Sequence, residues 1–137
     1  MLLKIFAVNW NEDGSATCLA RVMARNGSGD VVTGEGKWLE QADVASITCK
    51  VIDETNDDAE ITPAPTVTPA GSIIDTPVTD GAIWTEDAVG YNFLHDLAYT
   101  YFPTGGVSYR VEYYFTLTGG ARFGVGFRGV ARGRKGG

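Results

Sequence analysis

Chemistry in this 137-residue chain would have to be carried by a short roster of residues. His95 is the only histidine and is followed directly by Asp96. Such a pair can orient an imidazole as a general base, but it needs a nucleophile or a metal beside it. The sequence contains no Gly-x-Ser-x-Gly and no His-Glu-x-x-His, so His95 reads as a hydrogen-bonded structural residue in a connection. Asp53, Glu54, Asp57, Asp58 and Glu60 invite comparison with a calcium loop, which requires Gly at its sixth position and Glu at its twelfth. Counted from Asp53, those positions hold Asp58 and Ala64, and the run reads as a solvated acidic loop. Glu86 and Asp87 are neighbours, whereas glycosidase carboxyls face one another across roughly 5–10 Å. Neighbours on a strand point to opposite faces. Gly34-Glu35-Gly36-Lys37 is too short for a phosphate loop and lacks the hydroxyl residue after the lysine. No enzymatic activity, no cofactor and no metal site is expected.

Two cysteines, Cys18 and Cys49, form neither a disulfide framework nor a metal-ligand spacing. Each is expected on the inward face of a strand, beside Ala20 and Val22 or beside Ile47 and Val51, as a buried reduced thiol. The formal net charge is −6, which argues against a dedicated nucleic-acid binder or a membrane-surface protein. Residues 1–112 hold all 17 carboxylates, while residues 113–137 hold five cations, Arg122, Arg128, Arg132, Arg134 and Lys135, and no carboxylate. No apolar run approaches the ~20 residues that span a bilayer, and no membrane partner is expected.

The elements that must position these residues are strands. There are 18 Gly, 5 Pro, 6 Tyr, 6 Phe and 3 Trp, and richness in turn formers and aromatics together favours an all-β chain. Residues 2–10 and 15–25 read as strands joined at Asp13-Gly14, with Thr17, Arg21 and Arg25 outward in the second. Residues 44–53 alternate again. The prolines between Ile61 and Thr79 restrict strands there to short or edge positions, at Ala70–Asp75 and Ala82–Thr85. Residues 86–106 read as a long ordered connection. The clearest signal is Val107–Thr118, where Val107, Tyr109, Val111, Tyr113, Phe115 and Leu117 alternate with polar residues and with Tyr114. Gly119-Gly120 then predicts a two-residue hairpin turn with positive φ at both positions. The return strand, 121–131, has Phe123, Val125 and Phe127 on one face and Arg122, Gly124, Gly126 and Arg128 on the other. A single two-layer antiparallel sandwich over residues 1–131, with long ordered connections, followed by a basic Gly/Arg-rich tail at 132–137, accommodates these signals.

The segments Trp84-Thr85-Glu86-Asp87, Gly90-Tyr91-Asn92-Phe93-Leu94-His95-Asp96, Phe102-Pro103-Thr104-Gly105-Gly106 and Tyr109-Arg110-Val111-Glu112-Tyr113, with Gln41–Ile47, carry a resemblance. Over residues 38–118 the chain resembles small Ig-like β-sandwich proteins of bacteriophage structural-gene regions and phage-like loci, including the N-terminal domain of baseplate upper proteins. The resemblance implies an Ig-like fold and a non-enzymatic virion component, such as a capsid decoration or a head, neck or tail accessory subunit. Its partners would be other virion subunits, including further copies in a symmetric assembly. The basic tail departs from that pattern. On this reading Tyr114, Arg122, Arg128, Arg132, Arg134 and Lys135 are the interface candidates. The rival reading is a carbohydrate- or ligand-binding module stacking its ligand on Trp38, Trp84 and Tyr91.

Overall fold

A computed structural model describes residues 4–11, 14–25, 28–31, 37–78, 91–120 and 122–131. The strands are β1 (Lys4–Ala7), β2 (Asn9–Trp10), β3 (Ala16–Ala20), β4 (Val22–Arg25), β5 (Ser28–Val31), β6 (Lys37–Trp38), β7 (Val44–Asp53), β8 (Ala59–Glu60), β9 (Ile73–Val78), β10 (Tyr91–Leu97), β11 (Ser108–Leu117) and β12 (Arg122–Val130). Among the described residues helix is confined to single turns at Gln41–Asp43, Pro69–Ser72 and Tyr99–Tyr101. No helix among the described residues is long and apolar enough to cross a membrane. The strands form a five-stranded sheet in the order β1-β12-β11-β7-β8 and a four-stranded sheet in the order β2-β3-β10-β9. A smaller sheet, β5-β4-β6, extends beyond the end of β3. Every described pairing is antiparallel except β1 with β12.

The chain is all-β because period-two patterning gives its longest segments one apolar and one polar face. On β11, Tyr109, Val111, Tyr113 and Phe115 have no exposed surface. They meet Ile47, Cys49 and Val51 from β7, Phe123, Val125 and Phe127 from β12, and Cys18, Phe93 and Leu97 from the other sheet in one core. Phe93 reaches across the gap, its ring edge-on to Tyr113 at 4.9 Å and to Phe115 at 5.3 Å. At the margin, Trp10 lies against Gly129, where an added Cβ would stand 2.9 Å from the indole nitrogen. Glycine there lets β2 close onto the last strand.

Three local expectations are corrected, and the acidic loop takes a defined form. Residues 91–97 are not part of a connection but a strand, flanked by β3 and β9. Arg21, expected outward, is only 4% exposed, because it stands at the break between β3 and β4, where the chain passes from one sheet into the next. The Gly119-Gly120 turn has positive φ only at Gly120 (94°), whose N–H donates to the Leu117 carbonyl at 2.9 Å. With strand pairing ending at Thr116 and Arg122, the loop exceeds two residues, and a longer loop needs only one left-handed position. The acidic run is an ordered reversal: Asp57 and Asp58 have φ of 56° and 54°, and Ala59 N–H donates to the Asn56 carbonyl at 3.1 Å. Two left-handed central residues match the twist of the flanking strands, β7 and β8. The region 82–85 lies outside the described residues.

Candidate functional site

The outward face of the five-stranded sheet carries the described interface candidates Tyr114, Arg122 and Arg128. Because successive side chains alternate across a strand, Ser108, Arg110, Glu112, Tyr114 and Thr116 share one face of β11. Register sets Arg110 between Ile52 and Arg128, Glu112 between Lys50 and Gly126, Tyr114 between Thr48 and Gly124, and Thr116 between Ser46 and Arg122. Arg110 and Arg128 are thus like charges directly opposite each other, a destabilising arrangement when left alone.

Glu54, just past the end of β7, resolves the conflict. Arg110 Nη1 donates to Glu54 Oε2 at 2.7 Å, and Arg128 donates Nε to Oε1 and Nη2 to Oε2, both at 2.9 Å. Ser108 Oγ donates to Oε1 at 2.9 Å. Arg110 Nε also reaches Glu112 Oε2 at 2.7 Å, and the Tyr114 hydroxyl donates to Glu112 Oε1 at 2.9 Å. Burial by itself would raise the Glu54 carboxyl, but the hydrogen bonds from Arg128, Ser108 and Arg110 outweigh it and hold the group below its ordinary range. The side chains of Glu54 and Arg110 are 16% and 20% exposed, whereas that of Arg128 is 52% exposed, so the Arg110 arm contributes more than the screened Arg128 arm.

Glu54→Gln is therefore expected to cost about 1–2 kcal/mol at pH 7, since it leaves two arginines opposed across a half-buried gap. A carboxyl with a lowered native pKa stabilises fully above its unfolded pKa, and that contribution is lost as pH falls through the native value. The gap between wild type and variant should narrow on acidification from pH 7 to pH 3. Urea unfolding at the two pH values checks this, and an equal gap at both would contradict it.

The structure separates the interface candidates. Tyr114 is half-buried on the outward face, Arg122 is exposed beside the hairpin turn, and Arg128 is committed to Glu54. Arg132, Arg134 and Lys135 lie outside the described residues. Arg128 closes onto an acidic residue of its own chain, so part of the charge asymmetry between the two ends of the sequence is neutralised within one molecule. Of the ligand-stacking candidates, Tyr91 is 3% exposed and sits in a second apolar cluster with Leu19, Ile74, Val78 and Leu94, leaving no ring face for a sugar. Trp84 and the Trp38 side chain lie outside the described residues. Among the described residues no group of His, Cys, Asp and Glu could hold a metal.

His95 and Asp96 do not act as a pair. His95 turns inward, its Nδ1 2.7 Å from the Tyr113 hydroxyl, while Asp96 on the opposite face accepts from Thr17 Oγ1 at 2.6 Å. Both cysteines are buried free thiols. Cys18 stands opposite His95 and Cys49 opposite Tyr113 in the strand registers, and both thiols hydrogen-bond to the Tyr113 hydroxyl. Burial pushes the Cys49 thiol up to about 12 and raises Cys18 further, the bond to Tyr113 opposing it in both. Such thiols are structural rather than nucleophilic.

Sequence reasoning missed Asn92. It is 1% exposed; its Oδ1 accepts from Val22 N at 2.7 Å, and its Nδ2 donates to the carbonyls of Val22 and Leu39 at 2.9 and 2.8 Å. The pairing of β3 with β10 ends at Ala20 and Phe93, and Asn92 supplies by side chain the bonds that the ladder no longer makes. Its only signal was an amide set among the apolar residues Tyr91, Phe93 and Leu94. No family model, curated protein or solved structure matches this chain.

Proposed function

We propose that the chain is an Ig-like β-sandwich serving as a structural subunit of a phage or phage-like particle, binding its neighbours through surfaces. Strand order supports the fold part of this reading. β2, β3, β10 and β9 in one sheet stand against β7, β11 and β12 in the other, as strands A, B, E and D stand against C, F and G in an immunoglobulin domain. β8 adds an edge beside β7, and β1 runs parallel to the last strand.

The particle assignment rests on the resemblance over residues 38–118. The observation that carries an interface role is the outward face of the five-stranded sheet. Its side chains are pre-ordered by the Glu54–Arg110–Glu112 bonds, so docking there costs little further ordering entropy. Tyr114 offers a large aromatic with its hydroxyl already satisfied, and Arg122 an exposed cation at the margin; aromatic and arginine residues are enriched where interfaces bind most strongly. The neighbours would be other virion subunits or further copies of this chain in a symmetric array.

Arg122→Glu and Tyr114→Ala test the reading, because neither removes a partner of Glu54. The expected result is a changed assembly state by light scattering and at least a roughly tenfold loss of incorporation into particles, consistent with loss of more than about 1.4 kcal/mol of contact energy. Normal incorporation of both variants would overturn the interface.

A further inference from the structure

We propose that the open edge of β7 is a two-fold pairing site for a second copy of this chain, joining two five-stranded sheets into one continuous sheet. The inference is independent of the particle reading and uses a different surface from the outward face.

Backbone direction identifies the edge. In an antiparallel ladder the N–H and C=O groups of successive residues point to opposite sides of the strand. Glu54 N–H donates to the Ser108 carbonyl at 3.0 Å, whereas the Val51 carbonyl accepts from Ile61 N–H at 2.8 Å. From Ser46 onwards the even-numbered residues of β7 therefore face β11, and the odd-numbered ones face away. β8 pairs only with Ile52 and Asp53. Towards the other end, Ser46 pairs with Thr116 but Val44 with Leu117, so Ala45 is the extra residue of a bulge. Between these limits stand Ile47 and Cys49. Among the described residues nothing pairs with their outward-pointing N–H and C=O groups.

The comparable edge of the other sheet is guarded. On β9, Pro77 has no N–H to offer, the Ile73 carbonyl accepts from Gln41 Nε2 at 3.0 Å, and Asp75 accepts from Gln41 N–H at 2.8 Å. Folded sheets blunt their edges by such means or by charge. Beside β7 the protection is thin. The segment 61–68 starts on the edge at the Ile61–Val51 bond, and the turn Pro69–Ser72 that follows returns to β7. Thr62, Pro63, Ala64, Thr66 and Thr68 are exposed along it, as are Ser46 and Thr48 on the strand. Residues 44–52 and 61–68 together hold one charged side chain, Lys50, and depletion of charge is the compositional mark of an interface centre.

The bonding groups select the occupant. Two N–H and two C=O groups at this spacing are matched by β7 itself, turned about a two-fold axis at Thr48. Ile47 of one copy then stands opposite Cys49 of the other, and the exchanged bonds use all four groups of each copy. Thr48 faces Thr48, a favourable cross-strand pair, and Lys50 faces Ser46, so no like charges are opposed. A register centred on Cys49 would set Ile47 against Val51, whose carbonyl is already bonded to Ile61. One centred on Ile47 would call on Ala45, within the bulge. In the Thr48 register the pairing ends at Ser46 and Lys50, and the bulge bends the strand at the residue that would otherwise meet Ile61 of the partner. The contact is isologous and closes at two copies.

The test combines sedimentation of the full chain over a roughly hundredfold dilution series with hydrogen exchange at each end of it. Wild type is expected to approach twice 14.6 kDa at the concentrated end, with exchange at the Ile47 and Cys49 amides slowed at least tenfold relative to the dilute end. The Thr48 and Lys50 amides, which face β11, should stay protected throughout. Thr48→Lys opposes two lysines at the axis and should raise the dissociation constant at least tenfold. Its side chain is exposed, so the monomer should keep its fold. Thr48→Cys should form a disulfide-linked dimer under a mild oxidant, because residues in a non-hydrogen-bonded pair have Cα atoms about 4.5 Å apart. Wild type, with both thiols buried, should form none. Tyr114→Ala and Arg122→Glu should leave the dimer intact, which separates this contact from the outward-face interface. A monomer at the highest concentration, exchange at Ile47 and Cys49 that ignores concentration, no cross-linked Thr48→Cys dimer, or a dimer indifferent to Thr48→Lys would each overturn the edge pairing.

Discussion

Phe93→Ala is expected to destabilise the protein by about 3–5 kcal/mol, the range for truncating a buried phenylalanine. Phe93 has no exposed surface and sits edge-on to both Tyr113 and Phe115 across the sheet gap. Truncation removes the apolar burial of the ring and two aromatic contacts, and it opens a cavity bounded by strands whose backbones are fixed by ladders on both sides. Neither sheet can collapse into that space without breaking its own pairing. Domains of this size carry roughly 5–15 kcal/mol in all, so the variant should keep little of its margin. Phe93→Leu, which refills most of the volume, should recover at least half of the loss. Urea unfolding of the two variants measures both values. A cost below about 1.5 kcal/mol for the alanine variant would mean that the sheets do not share this core.

What the sequence disclosed follows from which interactions are local. β11 and β12 were legible because their alternation is complete and needs no partner to be recognised: each inward residue of 109–115 is fully buried. Tyr114 and Arg122 were correctly placed on the outward face for the same reason. β10 was not legible. Tyr91, Asn92 and Phe93 are buried in succession, and the pairing with β9 is irregular between Tyr91 and Phe93, so the period-two signal is broken where the strand begins. Arg21 was misplaced because a change of sheet reverses the inference from alternation, and that change is decided by the neighbouring strands. The ion-pair cluster was hidden by distance along the chain, since Glu54 and Arg110 are 56 positions apart. Glu54 looked like one more member of an acidic run, and only the strand register shows that it stands between two arginines. The contact between His95 and Tyr113 was hidden likewise, since the two stand in different sheets and meet only when these stack.

Asn92→Asp should be as damaging as a core truncation at neutral pH, although it exchanges one atom for another of nearly equal size. One carboxylate oxygen can still accept from Val22 N, but the second would replace the Nδ2 that donates to the Val22 and Leu39 carbonyls at 2.9 and 2.8 Å. Two carbonyl oxygens facing an anion repel it, and the site is buried, so desolvation adds to the repulsion. The expected cost at pH 7 is about 3–5 kcal/mol, in the range for an unpaired buried charge. Protonation relieves much of it, because a carboxylic acid can donate to one of the two carbonyls. The native pKa of the new carboxyl would therefore lie above its unfolded value near 3.9. With a raised native pKa the variant is most stable below the unfolded value and loses stability as pH rises through the native one. That is opposite in sign to the pH response expected of Glu54, so the two can be told apart in one set of melting curves. Asn92→Leu provides the uncharged comparison: it fills the volume, leaves Val22 N without its acceptor, and should cost about 1–3 kcal/mol with no pH dependence of its own. If Asn92→Asp matched the leucine variant at pH 7 and showed no recovery on acidification to pH 5, the amide would not be the group that holds β10 to β4 and the Leu39 backbone where the ladder ends.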